Sequence, residues 1–330
     1  MKNVVMFCEN VQLSGEVPFL CDKFNSSYKD FSLLLSEKNI RLLIANFVDY
    51  SDSFVLKYWV FDGGWVLKND PQRVEFVFDK FPGICSKSKF IKKEFLNRGI
   101  KVLNHPDLEC MFKDKFLTYS EFVKESPLTI PLNDSFGDII KKIRGLREKK
   151  LHDDLDSNVI FFKPRFGHGG KGIIVIEGND FASLKSIEFK DYIMQPLIKI
   201  RSLPELGLFD KYDLRLVMDS ERVRVCYARI PDKGFVSNVG DGSGGSNELF
   251  IDKSLLDDTI VSFGNFVNEN FKKFKDRLIS IDFVIGESGK PWLIELNGKP
   301  GLVYKTSNSV KRAVETQKVT VDVISSMVFG

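Results

Sequence analysis

The chain has 330 residues, 43% hydrophobic and 28% charged, an ordinary globular composition with enough length to bury a sizeable core in two or three compact units. Its 48 basic and 45 acidic residues leave a formal charge of +3, a near balance that argues against the basic excess of a nucleic-acid binder. No apolar run reaches the roughly 18 residues of a membrane span, and Val4–Phe7 is too short for a signal-peptide core, so no membrane partner is expected.

The five cysteines, Cys8, Cys21, Cys85, Cys110 and Cys226, are dispersed and never form a C-x-x-C pair, so they read as reduced thiols of a cytoplasmic protein. Val4 to Cys8 predicts a short buried strand, Phe31 to Glu37 a helix, and Arg41 to Phe47 a second strand, which gives the N-terminal third an α/β character. Ser88 to Asn97 has the serine start and apolar spacing of a helix stopped by Arg98-Gly99. Ile100 to Leu103 then reads as a strand and Asn104-His105-Pro106 as a turn. Met111 to Val123 and the charged segment Asp138 to Lys150 are expected to be helices, and Leu151 to Asn158 a loop. His105 and His152 have no evident partner, and Cys226 alternates with apolar residues as a core position.

From Asn158 the chain changes to strand, glycine-rich loop and strand: Asn158–Lys163, Pro164–Gly172, Ile173–Glu177. A Walker loop needs glycine where Arg165 stands, Ser or Thr where Gly172 stands, and a helix afterwards, so that reading fails. A dinucleotide fingerprint fails for the same lack of a helix. What remains is an antiparallel hairpin capped by Gly167, His168, Gly169 and Gly170, whose N–H groups can wrap over phosphates while Lys163 aims a cation at the same place. His168 can touch phosphate there or be incidental to the loop.

Leu278 to Ile285, a turn over Gly286 to Pro291, and Trp292 to Asn297 predict two adjacent strands. Their alternation puts Glu295 and Asn297 on one face with Asp282 across the hairpin and apolar neighbours behind. Three hard oxygen donors at this spacing suit magnesium bridged to nucleotide phosphates, with the acids facing phosphate rather than core.

In this order the residues resemble the ATP-grasp superfamily, especially its branch of glutathione synthetase-like and ribosomal-protein glutamyl (RimK-like) ligases. The likeness spans roughly residues 88 to 310: Phe112-Lys113-Asp114-Lys115, Lys163 with the glycine hairpin, Tyr192–Ile198, Tyr212–Val217, Arg229, Ser237-Asn238 with Gly244-Gly245, and Asp282, Glu295 and Asn297. It implies an α/β (α+β) chain with an N-terminal pre-ATP-grasp domain over 1–87, a central region with the small ATP-grasp subdomain over 88–195, and a C-terminal subdomain with the magnesium site over 196–330. The last two would clamp ATP between them.

The resemblance implies that Lys115 and Lys163 contact phosphates and that the backbone of Gln195, Pro196, Leu197 and Ile198 recognises adenine. Pro196 has no N–H, so the donor is Leu197 or Ile198. Glu205 and Asp210 both qualify as the ribose acid. Arg215, Arg229 and Asn238 correspond to the catalytic groups at the transferring phosphate and acyl group, and Val236 to Ser246 to a mobile loop over them. The implied activity is an ATP-dependent carboxylate–amine ligase working through an acyl phosphate, with ATP and two Mg2+ ions, Mn2+ being the alternative ion. Its partners would be small-molecule, amino-acid or peptide carboxylates and amines, and its oligomer a homodimer. A small-molecule kinase and a nucleotide-binding regulatory protein without turnover are the rival readings. Residues 1–87 carry no pattern that identifies the substrate.

Overall fold

A computed structural model describes residues 1–330 except 82–85, 168, 233, 235–245 and 305, with only the backbone of 86–89 and 246. Cys85, His168 and Asn238 therefore lie outside the described residues, as does nearly all of the expected loop from Val236 to Ser246. Cys8, Cys21, Cys110 and Cys226 are free thiols.

The N-terminal third is built from β1 (Lys2–Phe7), α1 (Asp22–Glu37), β2 (Ile40–Ala45), β3 (Tyr50–Ser51), β4 (Phe54–Val55), β5 (Tyr58–Phe61), β6 (Trp65–Lys68), β7 (Gln72–Arg73) and β8 (Phe76–Asp79). The helix α2 (Ser86–Asn97) then leads to β9 (Lys101–Leu103). Six of these strands form one sheet in the order β6-β5-β2-β1-β8-β9, parallel from β2 through β9, while β3, β4 and β7 make a small separate sheet. The predicted helix over Phe31–Glu37 thus begins earlier, at Asp22. Its first turns bury Asn25 and Ser27, polar side chains satisfied by hydrogen bonds to backbone carbonyls, so the apolar stripe that marks a helix is missing there.

Asn104-His105-Pro106 is not a free turn: His105 caps α3 (Pro106–Lys113), with proline at the first helical position, where its missing N–H costs nothing. The helical pattern from Met111 to Val123 is two helices, because Asp114 is extended and its side chain accepts from Phe116 N and Leu117 N to cap α4 (Lys115–Glu121). Next come β10 (Ile130–Leu132) and α5 (Phe136–Arg147), whose Ile139, Ile143 and Leu146 bury one face. The predicted loop over Leu151–Asn158 gives way at Leu155, where β11 (Leu155–Pro164) begins. With β12 (Ile174–Glu177) and β13 (Tyr192–Ile198) it forms the sheet β10-β13-β11-β12.

The third sheet has the order β16-β15-β14-β17-β18: β14 (Asp213–Met218), β15 (Val223–Pro231), β16 (Ser246–Ile251), β17 (Ile279–Ile285) and β18 (Pro291–Asn297). Between β16 and β17, α6 (Asp258–Glu269) buries Ile260, Phe263 and Val267 behind it. The last helix, α7 (Val310–Phe329), returns to α1, so Val4, Met6 and Phe31 share one apolar core with Val225, Ile324 and Met327. The sheet of β10–β13 has a core of its own around Phe162, Ile143 and Met194. Among the described residues no helix is long and apolar enough to cross a membrane.

Candidate active site

The glycine hairpin is the tip between β11 and β12, and Gly167, Gly169, Gly170 and Gly172 all have positive φ. At Gly172 a Cβ would stand 2.9 Å from Pro164 Cγ, so the hairpin excludes larger residues by space as well as by conformation. Its root is tied to α4. Arg165 donates to both oxygens of Asp114, at 2.7 and 2.6 Å, and Lys115 N donates to Arg165 O at 3.1 Å. The same Asp114 caps α4, so one carboxylate fixes the hairpin relative to Lys115.

Lys115 Nζ donates to Gly167 O at 2.7 Å and lies 3.4 Å from Glu295 Oε1, which brings the hairpin sheet to the edge of the third sheet. Lys163 stands on β11 opposite Ile193. Burial pulls its amine down to about 8 against the opposing pull of Glu295, with Lys115 adding to the drop. On the neighbouring strand, the Gln195 side chain is buried and donates to Thr129 Oγ1 at 2.7 Å. β10 pairs only with Tyr192–Met194, so it does not extend the ladder along Gln195, Pro196, Leu197 and Ile198. Glu205 and Asp210 are both exposed between β13 and β14, and the structure does not choose between them.

On the third sheet, register explains the pairing of charges. Asp282 on β17 is the cross-strand partner of Glu295 on β18 and of Arg215 on β14, while Asp213 is that of Arg229. A bulge follows Asp282, leaving Ile294 unpaired against the step from Asp282 to Phe283 and re-aiming the strand at the carboxylate. Arg215 grips both Asp282 oxygens through Nε and Nη2, and Arg229 donates to Oδ2 at 2.9 Å and to Asp213 Oδ1 at 2.6 Å.

Asp282 is 0% exposed, so this acid sits in the core rather than on an open face, because two guanidinium groups replace its water. Burial pushes its carboxyl up, but Arg215 and Arg229 outweigh that and hold it below the usual carboxylate range. Burial raises Asp213, with Arg229 opposing.

As a cation site the donor set fits a hard divalent ion. Glu295 is partly exposed and Asn297 gives its Nδ2 to Asp282 at 3.5 Å and keeps its amide oxygen, whereas both Asp282 oxygens are held by Arg215 and Arg229, so Asp282 would join an ion only by releasing an arginine. No group of three His, Cys, Asp or Glu side chains disposed around a metal occurs among the described residues, so the Asn297 amide is needed as the third donor.

Residues to which the sequence reading gave no role at the site hold it in place. Asn104, 1% exposed, donates to Leu278 O at 2.7 Å and to Gly298 O, and accepts from Leu278 N, clamping the start of β17 to the end of β18. Asp79, Lys92 and Glu109 form a buried ion cluster that Lys299 joins, its Nζ 2.7 Å from Asp79 Oδ2. Lys80 Nζ donates to Pro300 O at 2.8 Å. At the other end of the hairpin, Asp154 accepts from Ser288 N, Ser288 Oγ and Trp292 Nε1, and a Cβ on Gly286 would strike its Oδ2. The only sequence signal was polar residues in apolar surroundings, which does not reveal distant partners. His105 and His152 each accept a backbone N–H two residues on.

Two cavities meet here. One of about 250 Å³ runs from Gly167 past Glu295 and Asn297 to Lys113 and Lys299. The other, of about 410 Å³, lies by Arg215 and Arg229 under the N-terminal sheet, and both are bordered by Lys80.

No protein-family model matches the sequence, and no curated protein matches it. Solved structures do match along the whole chain. D-alanyl-alanine synthetase A from Vibrio cholerae O1 biovar eltor str. N16961 superposes with a TM-score of 0.66 at 13% identity, over 100% of this chain and 99% of that one. A RimK domain protein ATP-grasp from Sphaerobacter thermophilus DSM 20745 gives 0.58 at 11%, over 99% and 100%. The ATP-grasp ligase PsnB, complexed with minimal precursor, Mg and ADP, gives 0.58 at 11%, over 98% and 96%. At such identities what is shared is the arrangement of sheets around the cleft, and this chain has the ATP-grasp fold.

Proposed function

We propose that the protein is an ATP-dependent carboxylate–amine ligase that activates its carboxylate as an acyl phosphate. The observation carrying this is the convergence of Lys115, Lys163 and the glycine hairpin with Glu295 and Asn297, directly beside the Arg215–Asp282–Arg229 cluster. The printed names of structures sharing the fold, ligases and synthetases, support the same reaction class.

In this reading Lys115 and Lys163 take phosphate oxygens, and the backbone of Gln195–Ile198 takes adenine, with the N–H of Leu197 or Ile198 as donor. Asp282, Glu295 and Asn297 would hold magnesium, which neutralises phosphate oxygens when bound. The substrate carboxylate attacks the γ-phosphorus as the bond to the ADP oxygen breaks. Arg215 and Arg229, fixed by Asp282 and Asp213, are already oriented where negative charge gathers. The amine nitrogen then attacks the acyl carbon, the carbon–oxygen bond to phosphate breaks, and the amine proton passes to solvent. Shielding from water preserves the acyl phosphate between the two steps.

Hydroxylamine supplied in place of the amine tests this. A substrate that drives ADP release should yield a hydroxamate. A stable phosphate ester without hydroxamate would assign a kinase instead, and ADP release without covalent product a regulatory ATPase.

A further inference from the structure

The cavity of about 410 Å³ beside Arg215 and Arg229 falls within the range of ligand sites, and its walls differ in chemistry. One wall is aromatic. Phe19, Phe24 and Tyr28 pack with ring centroids between 5.4 and 6.2 Å apart in tilted arrangements. Phe19 and Tyr28 are 6% and 3% exposed, and Phe24 is half-buried.

The wall is held in place before any ligand arrives. Asn25 Nδ2 donates to Phe19 O at 2.8 Å and Asn25 Oδ1 accepts from Phe19 N at 3.0 Å, while Gln12 N donates to Pro18 O at 2.8 Å and Trp59 Nε1 to Gln12 O at 2.6 Å. Such preorganisation lowers the cost of ordering the site on binding.

Tyr28 adds a second observation. It lines the cavity with its side chain only 3% exposed. Burial keeps the phenol protonated, well above its ordinary range. Its hydroxyl, a donor and acceptor on an otherwise apolar wall, is available to a polar ligand group in the cavity.

Two of the cations around the aromatic wall have partners of their own. Arg312 makes a two-pronged ion pair with Glu248 at 2.9 and 3.1 Å, and Lys80 donates to Pro300 O. Cys8 is also at this cavity, its thiol pushed up to about 12 by burial, and acts as apolar surface rather than nucleophile.

We propose that this cavity takes an aromatic α-amino acid, free or as a residue of a short peptide, as the carboxylate substrate. Its ring lies against Phe24 and Phe19, its backbone polar groups are offered to the Tyr28 hydroxyl, and its carboxylate faces Arg215 and Arg229. The assignment of the carboxylate end rests on the ligase reading above.

The experiment is calorimetric titration of the full chain, with magnesium and a non-hydrolysable ATP analogue, by phenylalanine and Ala-Phe against alanine, glutamate and Ala-Ala. The aromatic member should bind about tenfold or more tightly, the expected yield of burying a ring rather than a methyl group. Phe24→Ala should lose about that factor with nucleotide affinity unchanged, and Phe24→Leu should recover part of it.

Equal affinity for alanine or glutamate, or no binding by either aromatic probe, overturns the proposal. So does a Phe24→Ala variant that binds phenylalanine as the parent does. The ligase reading fails separately: aromatic binding that depends on Phe24, with no ADP release for any paired amine, supports the cavity assignment and overturns the ligase. ADP release with hydroxamate from alanine or glutamate, without aromatic preference, does the reverse.

Discussion

Alanine at Asp282 and alanine at Glu295 should have the same effect on turnover and very different effects on stability. Both variants are expected to lose ATP-dependent ADP release, since each removes an oxygen donor from the proposed cation site. Asp282, however, is fully buried and binds Arg215 through two nitrogens and Arg229 through a third. Its removal leaves the buried guanidinium of Arg215 without its main counter-charge and Arg229 with Asp213 alone. Breaking a buried pair from one side costs about 3–5 kcal/mol.

Among the described residues the ion pair of Glu295 is with Lys115, at 3.4 Å and partly exposed, and a pair of that kind contributes roughly 0–1 kcal/mol. Differential scanning calorimetry without nucleotide should therefore lower the melting temperature of Asp282→Ala by on the order of 10 °C, with Glu295→Ala close to the parent. Coincident melting of Asp282→Ala and the parent would refute the reasoning that the carboxylate neutralises both arginines.

Asp79→Ala should destabilise by a similar amount, about 3–5 kcal/mol in urea, because Lys92 and Lys299 both lose their shared acid; Lys2→Ala, from an exposed pair with Glu75, should change stability by less than about 1 kcal/mol. Lys163 has a folded-state value near 8, below the ordinary 10.5, so the native chain gives up this proton first as pH rises. ATP affinity should then decline above about pH 8 by up to about tenfold per unit, and Lys163→Arg should weaken that dependence when binding is followed by calorimetry across pH 7 to 10.

The elements most legible in the sequence are those whose signal is local. Leu278 to Ile285 and Trp292 to Asn297, read as adjacent strands around a turn over Gly286 to Pro291, pair as the antiparallel strands β17 and β18; the glycine hairpin likewise falls between β11 and β12. Partners set by register between distant strands were not legible. Nothing near Asp282 in sequence announces that Arg215 will stand opposite it, and nothing near Lys115 announces Arg165. The bulge after Asp282 escaped for the same reason, since it exists only relative to β18. In the N-terminal third the difficulty was length: β3, β4 and β7 are two residues each, too short for any period to register.

The core that joins Val4 and Met6 to Ile324 and Met327 has a consequence for how the chain is made. β1 and α1 find part of their apolar cover only in α7, far later in the chain, and Gln317 then hydrogen-bonds to Ser27 O and Leu302 O across that gap. Until α7 has left the ribosome, the face formed by β1 and α1 stays open to solvent, the condition under which nascent chains aggregate or engage chaperones. The sheet of β10–β13, with its self-contained core, has no such dependence and can close early in synthesis. A chain that stops before α7 would thus carry the hairpin sheet with its own core beside an N-terminal core lacking part of its cover.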